Sequence, residues 1–320
     1  MSKTFKVIAK TNDISREDWL SLRRKGLGGS DCSAAIGMNR FRSALDVWLD
    51  KTGKVTKEAD NEAMYWGRTM EPVLRNEFAK RTGFTVKESP FMFASLAYPF
   101  MLANVDGCVI EKDGTKALLE LKTANGFSAK EWEEGLPPEY FLQVQHYLAV
   151  LGLSKAYVAV LIGGNNFRYQ AIDRDEDTIQ TIIAMEADFW NNYVLKSKEP
   201  PIDENSADGL NILYPKSKKS EISLTVEADE IVAEYLTLKG VEDDLKKNKA
   251  ICENKLKALL KDNALGITPQ GFTVSWKSAT RSSLDTTRLK KEKPDIIATY
   301  TTSTTYRKFS VTAPKVKADE

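Results

Sequence analysis

MLANVDGCVIEKDGTKALLELKT, residues 101–123, is the stretch on which the fold turns. Apolar residues crowd both of its ends, and EKDGTK between them carries the Asp113-Gly114 pair that favours a tight reversal, so it predicts a β-hairpin. Opposed residues in an antiparallel pair keep a constant index sum, and setting Asp106 against Glu120 centres the turn on Asp113. Glu120 and Lys122, two apart on one strand, share a face, while Leu119 and Leu121 point to the opposite, buried side. One face therefore gathers two acids and a lysine. Like charges across a hairpin repel, and a cation between them relieves the repulsion. Mg²⁺ suits carboxylate oxygens and keeps waters that can attack or contact a phosphate, while Lys122 would position such a water or stabilise transition-state charge. For these three residues alone the alternative is a solvated strand face with a Glu120–Lys122 surface pair.

Outward from the hairpin the punctuation is clear. Ser15 caps a helix to about Lys25, with Asp18 three residues on. Helices are expected over Ser43–Lys51 and from about Asn61 to Arg81, the latter closed by Gly83. After NGFSAKEWEEGLPP, read as a loop, Pro137 and Pro138 open a helix over EYFLQVQHYLAVL that Gly152 closes. KAYVAVLIGG and NNFRYQAI read as a second hairpin, and Asp175–Lys196 as a long helix. Periodicity lapses in KSKEPPIDENSADG, which places a boundary between residues 1–205 and 206–320. Beyond it, Ile231, Tyr235, Leu238, Leu245, Cys252, Leu256 and Leu259 mark a long amphipathic helix over Val226–Asp262, weakened at Gly240. GFTVSWK and TTYRKFSV read as strands flanking a polar helix near Leu284–Lys291, a small β-rich tail.

With 320 residues, one large domain and an appendage are expected. No apolar run reaches the ~18 residues of a membrane span, and MSKTFKVIAKTNDISREDW lacks the apolar core of a secretory signal. Three cysteines, Cys32, Cys108 and Cys252, fit reduced thiols in a cytoplasm better than a disulfide framework. A single histidine, His146, argues against zinc and reads as a packing residue. Lys plus Arg total 46 against 45 for Asp plus Glu, so no basic excess announces nucleic-acid binding, although a groove can focus positive charge inside a nearly neutral molecule. Among the tryptophans, Trp48 and Trp66 are expected in the core, and Trp132 in the core or stacking on a base.

The NVDG and ELK segments resemble the PD-(D/E)xK nuclease superfamily, with Val105 in place of the proline. Five blocks resemble its phage λ exonuclease-like branch, in particular the YqaJ-type viral recombinases: RRKGLGGSDCSAAIG, WGRTMEPVLRNEF, MLANVDGCV, LLELKTA and LQVQHYL. The resemblance covers approximately residues 15–200. It implies an α/β (α+β) restriction-endonuclease-like core, a central mixed sheet flanked by helices, followed by a helical and β-rich extension. It also assigns Asp106, Glu120 and the carbonyl of Leu121 to the metal, and Glu71 to the helical acid approaching it. Lys122 and Gln143 become catalytic, and Gln143 with Tyr147 forms the branch's QxxxY pattern. Without it, Glu71 is equally a helix-surface acid near Arg68 and Arg75, and Gln143 and Tyr147 the polar edge of a half-buried helix.

RRKGLGGSD outlines a phosphate pocket, since glycines allow close backbone approach, Arg23 offers a bidentate guanidinium and Ser30 a hydroxyl. A lone glycine-rich loop is more often a turn with solvated arginines. The resemblance implies that an Arg and a Ser seven residues apart, here Arg23 and Ser30, hold a 5′-phosphate.

The function expected is a Mg²⁺-dependent 5′→3′ double-strand DNA exonuclease, with Mn²⁺ as substitute. It would act on duplex ends and leave 3′ single-stranded tails for an annealing protein. A ring-shaped homotrimer and a phage or prophage origin in a bacterial cytoplasm also come from the resemblance. A structure-specific endonuclease on the same fold, or a non-catalytic DNA-binding or assembly protein, are the alternatives.

Overall fold

The hairpin forms in the anticipated register: Gly107 pairs with Leu119, Cys108 with Leu118, Val109 with Ala117 and Ile110 with Lys116. Gly114, at φ +88°, turns the chain between them. The computed structural model describes residues 4–55 and 61–313, so the first three residues of the stretch read for a secretory signal lie outside it.

In chain order the first part runs β1 (Phe5–Lys10), α1 (Arg16–Arg23), β2 (Leu27–Gly28), α2 (Gly29–Ala35), α3 (Ala44–Lys51), α4 (Glu62–Thr82) and β3 (Thr85–Lys87). Next come β4 (Phe91–Ser95), β5 (Met101–Ala103), β6 (Gly107–Ile110), β7 (Lys116–Ala124), α5 (Ala129–Glu133), α6 (Pro138–Leu151), β8 (Lys155–Ile162), β9 (Asn166–Asp173), α7 (Glu176–Phe189) and α8 (Ala207–Leu213). Their ends follow the chemistry read from the sequence. Ser15, Ser43, Asn61 and Asp175 each accept an amide N–H of the first turn of their helix, and Gly83 and Gly152 close α4 and α6 in the left-handed conformation. The segment expected as a loop before Pro137 contains the short helix α5. The long helix expected to Lys196 leaves α-geometry at Phe189 and continues as a π-helical turn, Trp190–Val194.

Five strands form a mixed sheet in the order β3-β6-β7-β8-β9. β7 and β8 are parallel, and every other neighbouring pair is antiparallel. Parallel pairing demands a crossover, and α5 and α6 supply it. α4 covers one face, with Leu74 and Phe78 against Leu119, Leu121, Tyr157 and Ala159. α6 covers the other, with Leu142, Val144 and Leu148 in one cluster with Leu118, Ala156 and Val158. Residues 117–121 of β7 are consequently buried on both faces. A second sheet, β1-β4-β5-β2, brings Leu27 beside Met101 in parallel.

Trp48 is fully buried, its indole N–H donating to the Tyr193 carbonyl at 3.1 Å. Trp132 packs partly buried against the core beneath α6. Trp66 departs from expectation. It is 53% exposed and donates to Glu62 one turn back, because α4 buries Leu74 and Phe78 in its second half and nothing in its first.

The chain divides into two compact units at Tyr214/Pro215 rather than at 205/206. α8 belongs with the first, since Leu210 and Leu213 pack in the cluster of Leu45 and Trp48. Taken by itself, the second unit contains α9 (Val226–Leu260), a short hairpin of β10 (Leu265–Ile267) and β11 (Thr273–Ser275), α10 (Thr286–Glu292) and α11 (Pro294–Tyr300). α9 passes through Gly240 unbroken. TTYRKFSV forms no strand, so the tail is less β-rich than expected. Phe309 of that segment instead meets the ring of Tyr235 on α9 edge-on, at 5.8 Å.

Candidate active site

Glu120 lies in the middle of β7, 3% exposed, on the face that α6 covers. A solvated strand face is thereby excluded. Two donors meet one of its oxygens: Lys122 Nζ at 2.7 Å and Gln143 Nε2 at 2.6 Å. The other oxygen, Oε2, is buried with no hydrogen-bond partner. An orphaned carboxylate oxygen in the interior is costly unless something cationic meets it.

Asp106 sits at the entry of β6, where its Oδ2 accepts the amide N–H of Leu121 at 2.7 Å and its backbone carbonyl accepts Arg75 Nε at 3.0 Å. Burial and the charges of Glu120 and Glu71 push its carboxyl well above the usual carboxylate range, outweighing Lys122 and the Leu121 amide. Glu71, half-buried on α4, is also raised, first by burial and, after the opposing effect of Arg75, by Glu120. Three acids from α4, β6 and β7 thus repel one another across one point. Such a point suits a divalent cation.

Lys122 is the counterweight. Burial disfavours its charge, yet Glu120 and Asp106 hold it above the ordinary lysine value. Its Nζ also donates to Gln143 Oε1 at 3.1 Å, so the Gln143 amide is engaged at both ends, and Nε2 lies 3.3 Å from the Tyr147 hydroxyl. Gln143 and Tyr147 are each 5% exposed, one turn apart on α6, so neither is the polar edge of a half-buried helix. Burial, then Glu120 and Asp106, raise the Tyr147 phenol well above its usual value, keeping it a neutral hydroxyl.

The glycine-rich segment reaches the same place. Gly29 is buried beside α6, and Arg23 donates to Ser30 Oγ at 3.1 Å. Residues with no place in the sequence reading stand behind it. Asp31 is fully buried and accepts from Lys51 at 2.7 Å and Arg42 at 2.6 Å, with Arg23 at 3.5 Å. Burial alone would raise its carboxyl, but Lys51, Arg23 and Arg42 hold it well below the usual range. The signal was an acid inside a glycine block with basic residues on both sides, and residue spacing gave no route to Lys51.

A cavity of about 420 Å³ opens beside Asp106, lined among others by Arg16, Trp19, Arg68, Glu71 and Arg75. The three arginines share this lining with three acids, Glu71, Glu88 and Asp106, so the cavity sets guanidiniums beside the carboxylate cluster. His146 stands apart from this chemistry, with its ring nitrogens 2.8 Å from Glu186 Oε1 and 2.8 Å from the Leu102 carbonyl oxygen.

Residues 18–154 match the YqaJ-like viral recombinase domain. The chain is 38% identical over 317 residues to the protein YqaJ of Bacillus subtilis (strain 168), which covers 97% of this chain and 98% of that protein. A 125-residue stretch, 38% of this chain and 36% of the relative, is 27% identical to Protein D345L of African swine fever virus (strain Badajoz 1971 Vero-adapted). Among solved structures it is similar to the alkaline exonuclease of Laribacter hongkongensis, at a TM-score of 0.48 and 22% identity, over 56% of this chain and 93% of that one.

Proposed function

The chain belongs to the YqaJ-like viral recombinase family, and from that membership and its carboxylate cluster we propose that it is a Mg²⁺-dependent DNA exonuclease. It digests linear duplex 5′→3′ and leaves 3′ single-stranded tails for recombination by annealing. The observation that carries this reading is the buried, unpartnered Oε2 of Glu120 beside Asp106 and Glu71. Lys122 and Gln143 both meet Oε1, which leaves Oε2 of the same carboxylate as the acceptor that a further cation would satisfy.

Asp106, Glu120 and the carbonyl of Leu121 would hold the cation, with Glu71 approaching from α4. A bound Mg²⁺ would neutralise phosphate charge and make a water more acidic. Lys122, fixed between Glu120 and Gln143, places a cation where negative charge grows on the phosphorus oxygens, and in that geometry it also orients the attacking water. Gln143 holds Lys122 and Glu120 in register, and Tyr147 supports Gln143 from one turn away. Arg23 and Ser30 receive the 5′-phosphate, and Arg16, Arg68 and Arg75 line the approach of the backbone. Mn²⁺ should substitute for Mg²⁺, since both accept the same oxygen donors. A single-strand annealing protein and a ring-shaped trimer complete the reading by family likeness.

The test is linear duplex labelled at its 5′ ends, incubated with the protein and Mg²⁺. Early release of labelled mononucleotide, with closed circles left intact and no release in EDTA, is the expected result. Cutting of covalently closed circles would replace the exonuclease with an endonuclease, and activity unaffected by EDTA would remove the metal.

A further inference from the structure

Beside Arg23 and Ser30, Asp31 gathers more cations than its own charge requires. Lys51 Nζ is fully buried, 2.7 Å from Asp31 Oδ2, and already balances that carboxylate. The same oxygen accepts the Gly28 amide at 3.1 Å, and Lys51 also donates to the Arg23 carbonyl at 3.2 Å. Even so, two guanidiniums converge on Oδ1, Arg42 at 2.6 Å and Arg23 at 3.5 Å. Asp50 offsets part of the excess, lying 3.3 Å from Lys51 and 3.5 Å from Arg24. Among the described residues, three cations, Arg24, Arg42 and Lys51, face two carboxylates, Asp31 and Asp50, with Arg23 at 3.5 Å beside them.

Two guanidiniums on one carboxylate oxygen repel each other, which is unfavourable for a purely structural cluster and favourable for one that receives an anion. Its solvent-facing rim consists of Arg23, Ser30 and Arg42: the side chains of Arg23 and Arg42 are 20% and 31% exposed. Arg42 is held in place before any ligand arrives. Its backbone N–H donates to Asn39 Oδ1 at 2.9 Å, Asn39 donates to Ser33 at 2.9 Å, and Ser43 next to it caps α3. Arg23 is braced in turn by the Trp19 ring, 5.0 Å from its guanidinium carbon.

We propose that Arg42 is a second guanidinium ligand for the terminal phosphate of the DNA end, and that buried Asp31, neutralised by Lys51, positions Arg42 and Arg23 to receive it. A phosphate monoester presents three terminal oxygens and a charge near two, matching a pair of guanidiniums better than the single charge of an internal diester does. The inference rests on the exonuclease reading.

The experiment compares KM and kcat on linear duplexes with 5′-phosphoryl and 5′-hydroxyl ends for wild type, R42Q, R42K and D31N, with circular dichroism as the folding check. R42Q should reduce the phosphoryl-over-hydroxyl preference in kcat/KM by about tenfold, chiefly through KM, as expected for one charge-assisted contact. R42K, with its charge but a single ammonium, should fall between R42Q and wild type. D31N should lose the preference as R42Q does, and if it fails to fold the arginine variants decide alone. An unchanged preference in R42Q, or equal use of both ends by wild type, overturns the proposal. Absence of any Mg²⁺-dependent hydrolysis by wild type would instead sink the exonuclease reading. Metal-free binding of the two duplexes by fluorescence anisotropy then decides the role of Arg42, with a weaker phosphoryl preference in R42Q supporting it and an unchanged one refuting it.

Discussion

A Cβ on Gly29 would lie 2.5 Å from Cε1 of Tyr147 and 3.0 Å from Cγ of Gln143. The glycine segment that carries Ser30 and the helix that carries Gln143 are therefore in direct backbone-to-side-chain contact. Gln143 in turn bonds Glu120, so a single chain of contacts joins the glycine segment beside Ser30 to the carboxylate cluster. Gly29→Ala should push the Tyr147 ring away and cost roughly 1–3 kcal/mol by overpacking. Urea denaturation measures that cost, and the activity on linear duplex should fall by more than the stability loss explains, because Gln143 moves with α6. Full activity in a folded G29A protein would contradict the coupling.

Asp106→Asn keeps an acceptor for the Leu121 amide while removing one of three mutually repelling carboxylates. The metal-free variant should melt higher than wild type, and the stabilisation of wild type by Mg²⁺ should vanish. Hydrolysis should drop on the order of 10³-fold, the several kcal/mol that a metal contributes at a phosphate. Differential scanning calorimetry with and without Mg²⁺ reads both changes. A lower metal-free melting temperature would argue against the carboxylate repulsion.

Lys122→Met separates metal holding from chemistry. The carboxylates remain and Glu120 loses a competing cation, so metal affinity by isothermal titration calorimetry should persist. Activity should nevertheless fall by about 10²–10⁴-fold, the range for a positioned group acting in the transition state. Parallel loss of affinity and activity would make the lysine structural.

His146 Nε2 faces the Leu102 carbonyl, an acceptor only, and so donates to it, while Nδ1 lies 2.8 Å from Glu186 Oε1, where a protonated ring sets its charge beside a carboxylate. Burial opposes that charge, but Glu186 and the Leu102 carbonyl hold its pKa above the ordinary 6.5. A raised folded-state pKa means that the native state binds the proton more tightly. The stabilisation is therefore complete below about 6.5 and is lost as pH rises through the folded-state value. Urea midpoints should decline over that alkaline interval, and His146→Gln should flatten the decline. An identical slope in the variant would assign the pH dependence to another group.

Much of this was legible in the chain itself. Asp113-Gly114 and the flanking apolar runs set the hairpin and its register, and Ser15, Ser43, Asn61, Gly83 and Gly152 marked helix ends because capping is local chemistry. The strand misread at TTYRKFSV and the core position misassigned to Trp66 share one cause. Local pattern reports what a segment could bury, whereas burial depends on whether another element arrives to cover it.

The sequence by itself determined that Asp106, Glu120 and Lys122 fall on one hairpin, because strand periodicity and turn chemistry act over a few residues. Only the tertiary structure decided that Glu120 is buried, since α6 closes over a face that strand alternation alone leaves open to solvent. Tertiary packing also brought Glu71 from α4 and Gln143 from α6 to the acids, and set Lys51, Arg42 and Arg23 around Asp31. Those encounters join distant segments, and what fixes them is the low-dielectric interior, where an unpaired charge costs far more than it does in water.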